Sequence, residues 1–214
     1  ISARDGSSAE LAKVMEEAGP DAIANTIGVD ATGMRFNSIV SIELSQKALG
    51  GPEMNALVNP GAIAATSMVK GATRDEVWKS ILGYYSDFAG RPLSVNQEVF
   101  KSVADTNQRN QAIGYLMYAY GYIKANPMQA TDVYTEQCSV SVNAKDLAMM
   151  AGTLANAGKN PVTSKQVMKA EYVPKVLAVM ATAGLYDDSG KWLYNTGLRG
   201  KSGVGGGIIA VSPG

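Results

Sequence analysis

Histidine is missing from all 214 residues. That absence excludes Ser-His-Asp triads, Cys-His dyads and nearly every zinc site. Any hydrolysis by this chain must move its proton through a lysine, a tyrosine or a carboxylate. Cysteine is almost as scarce. The single Cys138 excludes an internal disulfide and a cysteine-based metal cluster, and it reads as a small buried hydrophobe rather than a reactive thiol. There is no surplus of charge either: 19 basic and 19 acidic residues cancel. A neutral chain lacks the basic footprint that supplies most nucleic-acid affinity, so no nucleic-acid partner is expected. No apolar run approaches the roughly 20 residues of a membrane span, and the N-terminus does not have the shape of a signal peptide. Repeats, low-complexity tracts and long charge runs are also missing. The expectation is a soluble, cytoplasmic protein. Its 46% hydrophobic content suffices for the core of one domain, or of one domain with a subdomain.

What is present reads mostly as helix. Ser8 caps a short helix over Ala9 to Ala18, ended by Gly19-Pro20, and Asp21 starts another that stops at Gly28. The apolar positions between Asn37 and Leu44 fit either helix or strand. Pro60 sits in the first turn of a helix running to Lys70, with Gly71 as its stop. Thr73-Arg74-Asp75-Glu76 reads as a capping box opening a helix to about Gly90. Between Asn107 and Tyr122, the positions Ile113, Leu116, Met117 and Tyr120 trace one buried face. Asn126-Pro127 opens a helix towards Cys138, Asn143 caps Ala144 to Ala157 before Gly158, and Tyr172 to Ala183 is helical too. Only the end changes character, with short strands expected at Lys191 to Thr196 and at Gly207 to Val211. The pattern is therefore α+β, mostly helical with a small sheet.

The stretch Lys201-Ser202-Gly203-Val204-Gly205-Gly206-Gly207 has three readings. A phosphate-binding loop fails, because Asn195 stands where its first glycine belongs and the glycines lead into a strand rather than a helix. A tight hairpin without chemistry is the second. The third is a Lys-Ser-Gly edge strand whose glycines let a substrate lie against the backbone, as in the Lys-Thr-Gly motif of penicillin-binding proteins and class A β-lactamases.

That stretch closes a series of seven motifs. Ahead of it come Phe36-Asn37-Ser38, Val58-Asn59-Pro60-Gly61-Ala62-Ile63, Asn107-Gln108-Arg109-Asn110, Tyr134-Thr135-Glu136-Gln137-Cys138-Ser139, Thr153-Leu154-Ala155-Asn156 and Gly184-Leu185-Tyr186. In this order and spacing the chain resembles the serine-dependent glutaminase family of bacteria and mitochondria. The resemblance implies a β-lactamase-like fold across residues 1–214 as one domain. It also implies hydrolysis of L-glutamine to L-glutamate and ammonia, no metal or other cofactor, and assembly as a homodimer or tetramer. Asn59 and Asn110 match asparagines that bind the amino-acid end of the substrate, and Tyr134 matches a pocket tyrosine. Tyr186 matches a proton-shuttling tyrosine beside the nucleophile, and Val204 the residue whose N–H helps to form the oxyanion hole. Lys201 and Ser202 belong to the same catalytic strand. Taken singly, the two asparagines would read as caps or turn residues and the two tyrosines as packing residues.

Three departures accompany the resemblance. The family nucleophile lies in a Ser-x-x-Lys motif, whose serine and lysine positions fall here on Arg4 and Ser7. The only Ser-x-x-Lys in the chain, Ser67-Met68-Val69-Lys70, belongs to a different helix and reads as a chance match. A nucleophilic serine needs an adjacent base, so loss of the motif is expected to abolish the family reaction. Val103 occupies the place of a glutamate that pairs with the substrate ammonium, and Asp105 is offset by two residues, which points it elsewhere on a helix. Relatives continue beyond Pro213-Gly214 through further strands and begin with an N-terminal strand region. The sheet is then incomplete, completed by another chain, or continued outside these residues. The alternative that follows is a catalytically inactive relative that binds an amino acid or regulates a partner. A penicillin-recognising enzyme is the third reading.

Overall fold

The structure, a computed structural model, describes residues 7–19 and 56–212, with side chains from Lys13 onward in the first segment. The expected helix from Asp21 to Gly28, the stretch Asn37 to Leu44 and the Phe36-Asn37-Ser38 motif lie outside the described residues.

Helix α1 spans Ser7–Ala18, with Gly19 taking φ +96° at its end. Helix α2, Asn59–Met68, is rich in small and apolar residues, and Gly61, Ala62, Ala64 and Ala65 are all buried. A helix apolar on every side belongs in the interior. Accordingly α2 packs against α1, against α5 (Gln108–Ala119) and against α6 (Pro127–Gln137). It ends at Met68 rather than Lys70, because Val69 turns extended at ψ 127°.

Helix α3, Arg74–Ala89, starts as expected: Thr73 accepts from Glu76 N–H, and Gly90 ends the helix at φ +71°. Its box is offset by one residue, since the Glu76 carboxylate accepts from Ala72 N–H. Helix α4, Gln97–Asp105, went unanticipated; Asn96 caps it by accepting from Val99 N–H, but none of its residues is buried. In α5, Ile113 and Met117 are buried, with Leu116 and Tyr120 packed against the core. Asn126 caps α6 through Met128 and Gln129 N–H at 2.9 and 3.2 Å. Asn143 and Asp146 form a full capping box at α7, Ala144–Ala155, which ends two residues before the expected Ala157. Cys138 is half-buried against the core.

Helix α8, Val173–Ala183, is preceded by one 3-10 turn over Ala170–Tyr172. One expectation is overturned. Lys191 to Thr196 is not a strand but lies within α9, Ser189–Thr196, closed by Gly197 at φ +68°. The run Trp192-Leu193-Tyr194 carries strong strand propensity, yet local chemistry wins. The Ser189 hydroxyl accepts from Leu185 N–H at 2.9 Å and donates to Tyr186 C=O at 2.7 Å, fixing the helix start. Strands β1, Arg199–Ser202, and β2, Ile208–Val211, form an antiparallel pair with Lys201 opposite Ile209. The pair is supported rather than isolated: β1 lies on α8 and α9, and β2 lies on α7. No helix among the described residues is long and apolar enough to cross a membrane.

Candidate active site

Three of the expected residues meet. Asn59 is the first residue of α2, Asn110 lies in the first turn of α5, and Tyr134 sits midway along α6. The Tyr134 hydroxyl donates to Asn59 Oδ1 at 2.8 Å, and Asn59 Nδ2 donates to Asn110 Oδ1 at 3.1 Å. Neither asparagine is a cap. The relay consumes both amide oxygens and leaves Asn110 Nδ2 without an acceptor among the described residues. Two helix N-termini converge on this pair, and their unpaired N–H groups and dipoles favour negative charge.

Helix α6 is held in place by charge. Arg74 at the start of α3 donates to Asp132 Oδ2 through Nε at 2.9 Å and Nη2 at 2.6 Å, and it also pairs with Glu136 one turn on. Burial pushes the Glu136 carboxyl above its usual range while Arg74 pulls it back. The buried Gln137 donates to Thr66 Oγ1 at 2.9 Å, locking α6 to α2. Sequence reading missed this Arg74–Asp132–Glu136 clamp, although two acids spaced i,i+4 on one helix are its signature.

A second group assembles around the hairpin. Lys201 is only 3% exposed; its Nζ donates to the Ser202 carbonyl and stands 5.9 Å from the centre of the Tyr186 ring. Tyr186 takes φ +52°, a left-handed conformation unusual for a tyrosine. Ser202 anchors β1 by donating its N–H to Gly184 C=O at 3.0 Å. This close approach requires glycine, because a Cβ at Gly184 would lie 1.8 Å from the Gly200 carbonyl oxygen. Val204 stands on the turn from Gly203 to Gly207, 70% exposed, and its N–H makes no hydrogen bond among the described residues. That turn joins two antiparallel strands, so the phosphate-loop geometry is absent.

The Asn59–Asn110–Tyr134 group sits on α2, α5 and α6, and the Tyr186–Lys201 group on the hairpin and the turn after α8. Helix α1 packs against both α2 and α8 and so links them. Ser67 and Lys70 belong to neither. They line a cleft of about 380 Å³ with Thr66, Gly71, Asn126 and Gln129. Ser67 Oγ donates to Ala64 C=O at 2.6 Å, and Lys70 Nζ reaches Glu17 C=O at 3.2 Å. Ser67 is eight residues beyond Asn59 (67 − 59), about 12 Å along the helix at 1.5 Å per residue. Among the described residues, no hydrogen bond connects this serine to this lysine.

A mainly helical body with an antiparallel hairpin bearing Lys-Ser-Gly defines a protein of the β-lactamase-like α+β fold. The chain belongs to the glutaminase family, whose profile matches residues 8–214. It is 49% identical over 204 residues to "Glutaminase 2" of Yersinia pestis, covering 95% of this chain and 59% of that protein. It is 48% identical over the same length to a glutaminase of Colwellia psychrerythraea, covering 95% and 64%. Among solved structures, the probable glutaminase ybaS superposes with a TM-score of 0.93 at 43% identity, covering 100% of this chain and 68% of that one. The probable glutaminase of Bacillus subtilis superposes with a TM-score of 0.91 at 28% identity, covering 100% and 68%. The chain thus spans about three-fifths of the length of the curated relatives it matches.

Proposed function

We propose that this chain, as a single domain, is a glutaminase-type amidohydrolase converting L-glutamine and water to L-glutamate and ammonia through a serine nucleophile. The observation that carries the reading is the Tyr134–Asn59–Asn110 relay at two converging helix N-termini. A zwitterionic amino acid suits it, because the helix N–H groups and Asn110 Nδ2 are donors for an α-carboxylate.

The reaction assigns the second group its roles. A serine Oγ attacks the side-chain amide carbon, and the carbonyl oxygen becomes an oxyanion. The N–H of Val204, uncommitted within the described residues, donates to that oxyanion; such a donor is typically worth about 3 kcal/mol or more of barrier. Tyr186 carries the serine proton to the departing nitrogen, so that ammonia leaves and an acyl ester remains. Water then adds to the ester, Tyr186 relays its proton back to the serine, and glutamate is released. Lys201 is the cation beside Tyr186, and Ser202 fixes the strand that presents Val204. The left-handed backbone at Tyr186 supports this reading, since strained conformations collect at functional sites.

By the family resemblance the nucleophile's lysine position falls on the first residue of α1, the helix packed on both halves of the site, and its serine position lies outside the described residues. In this chain they are Arg4 and Ser7, which leaves the attacking serine as the one role without an assigned residue. Ser67 is not a candidate, being turned to its own helix carbonyl at the far end of α2. Assembly as a homodimer or tetramer and a cytoplasmic location complete the proposal.

An ammonia-release assay with this chain tests it. Ammonia and glutamate are expected in equal amounts from L-glutamine, and no turnover of glutamine, asparagine or simple amides would sink the proposal.

A further inference from the structure

We propose that Asn107 is an additional substrate-binding residue, its Oδ1 accepting a hydrogen bond from the ammonium group of the bound amino acid. The inference rests on the amino-acid-binding reading above and adds a residue to it.

Asn107 is 6% exposed and immediately precedes α5. An asparagine at that position ordinarily accepts from an N–H two or three residues on. Here it makes no such bond. Its Nδ2 donates instead to Thr135 Oγ1 at 2.6 Å. With the Thr135 hydroxyl donating to Thr131 C=O at 2.8 Å, Thr135 accepts from Asn107. Nδ2 faces Thr135, and Oδ1 is left buried with no donor. Buried acceptors are rarely left unpaired. The arrangement keeps an acceptor in reserve for a donor that arrives from outside.

Its surroundings say which donor. Asn107 lies one turn before Asn110, and its partner Thr135 follows Tyr134 on α6. The unpaired acceptor and the Tyr134–Asn59–Asn110 relay thus share the seam between α5 and α6. The donors there suit a carboxylate, and the acceptor suits the ammonium at the other end of the same zwitterion. Four residues earlier, Val103 supplies no polar atom for that purpose.

The probes are L-glutamate and glutarate, which share carbon skeleton and carboxylates and differ only in the ammonium. Calorimetric titration of the native chain is expected to show tighter binding of glutamate than of glutarate. In Asn107→Leu, that preference should fall about tenfold, the loss typical of a charge-assisted hydrogen bond, with glutarate affinity unchanged within about twofold. Asn107→Asp places a carboxylate at the same point and should widen the preference, which guards against a leucine variant that fails to fold. An equal loss for both ligands would mark Asn107 as structural and overturn the inference while leaving the amino-acid site standing. An unchanged preference in both variants would overturn it too. If the native chain binds neither ligand, the underlying reading fails and takes this inference with it.

Discussion

Val103, half-buried in the last turn of α4, carries an apolar side chain where the family resemblance places a glutamate. An ammonium brought into a closed pocket without a carboxylate loses a charge-assisted contact. Val103→Glu is therefore expected to raise L-glutamate affinity about tenfold by calorimetry, and unchanged or weaker binding contradicts the placement. Asp146 makes a different kind of prediction. Hydrogen bonds from Arg91 Nε and Nη2 at 2.6 and 2.5 Å hold its carboxyl below the usual carboxylate range, against the opposing effect of burial. Because the folded pKa lies below the unfolded value of about 3.9, this stabilisation is present above about pH 4 and is lost as pH falls through the folded pKa. Asp146→Asn should lower stability in urea unfolding at pH 7, and its deficit relative to the native chain should shrink as pH falls below about 4. A deficit that does not change with pH would contradict the assignment. Site residues were legible one by one only through motif order. Nothing local to Asn59 or Asn110 distinguishes them from caps, and the orphaned Oδ1 of Asn107 depends on Thr135 in another helix.

Among the helices, those announced by caps were legible to within two residues, because Asn126, Asn143 and Thr73 satisfy N–H groups a few residues away. Helix α9 was not. Its aromatic run reads as strand, and its start is set by a 3-10 turn at Tyr186–Asp188 that sequence spacing does not reveal. Helix α4 does carry a one-sided apolar stripe, Val99, Phe100, Val103 and Ala104, with Asn96 as its cap, and it could have been read from them although none of its residues is fully buried. The junction of α8 with β1 gives the sharpest test of packing. With 1.8 Å between a Gly184 Cβ and the Gly200 carbonyl, Gly184→Ala must push the hairpin off α8. Overpacking of this kind costs about 1–3 kcal/mol, or roughly 2–10 °C in Tm for a chain of this size. Gly83, in the middle of α3 with open space around its would-be Cβ, is the control. Gly83→Ala should stabilise by about 0.5–1 kcal/mol, and a thermal melt showing both alanines alike would refute the account of the junction.

In the proposed reaction the molecule divides the work between two groups. One would read an amino acid from the starts of α2 and α5, and the other would offer Val204 N–H, Tyr186 and Lys201 from the hairpin and the turn after α8. Mostly helical α+β architecture was visible in the sequence, because helix caps and small-residue faces are local signals. The meeting of Tyr134, Asn59 and Asn110 was not, since 75 residues separate the first pair and 51 the second. Only a fold or a family resemblance joins positions that far apart. The central claim is that this relay holds the amino-acid end of glutamine, and a crystal structure of the chain with L-glutamate tests it most directly. The account predicts the α-carboxylate within hydrogen-bond distance of Asn110 Nδ2 at the start of α5. Glutamate seated instead in the cleft beside Ser67 and Lys70, or ordered nowhere on the molecule, would contradict it.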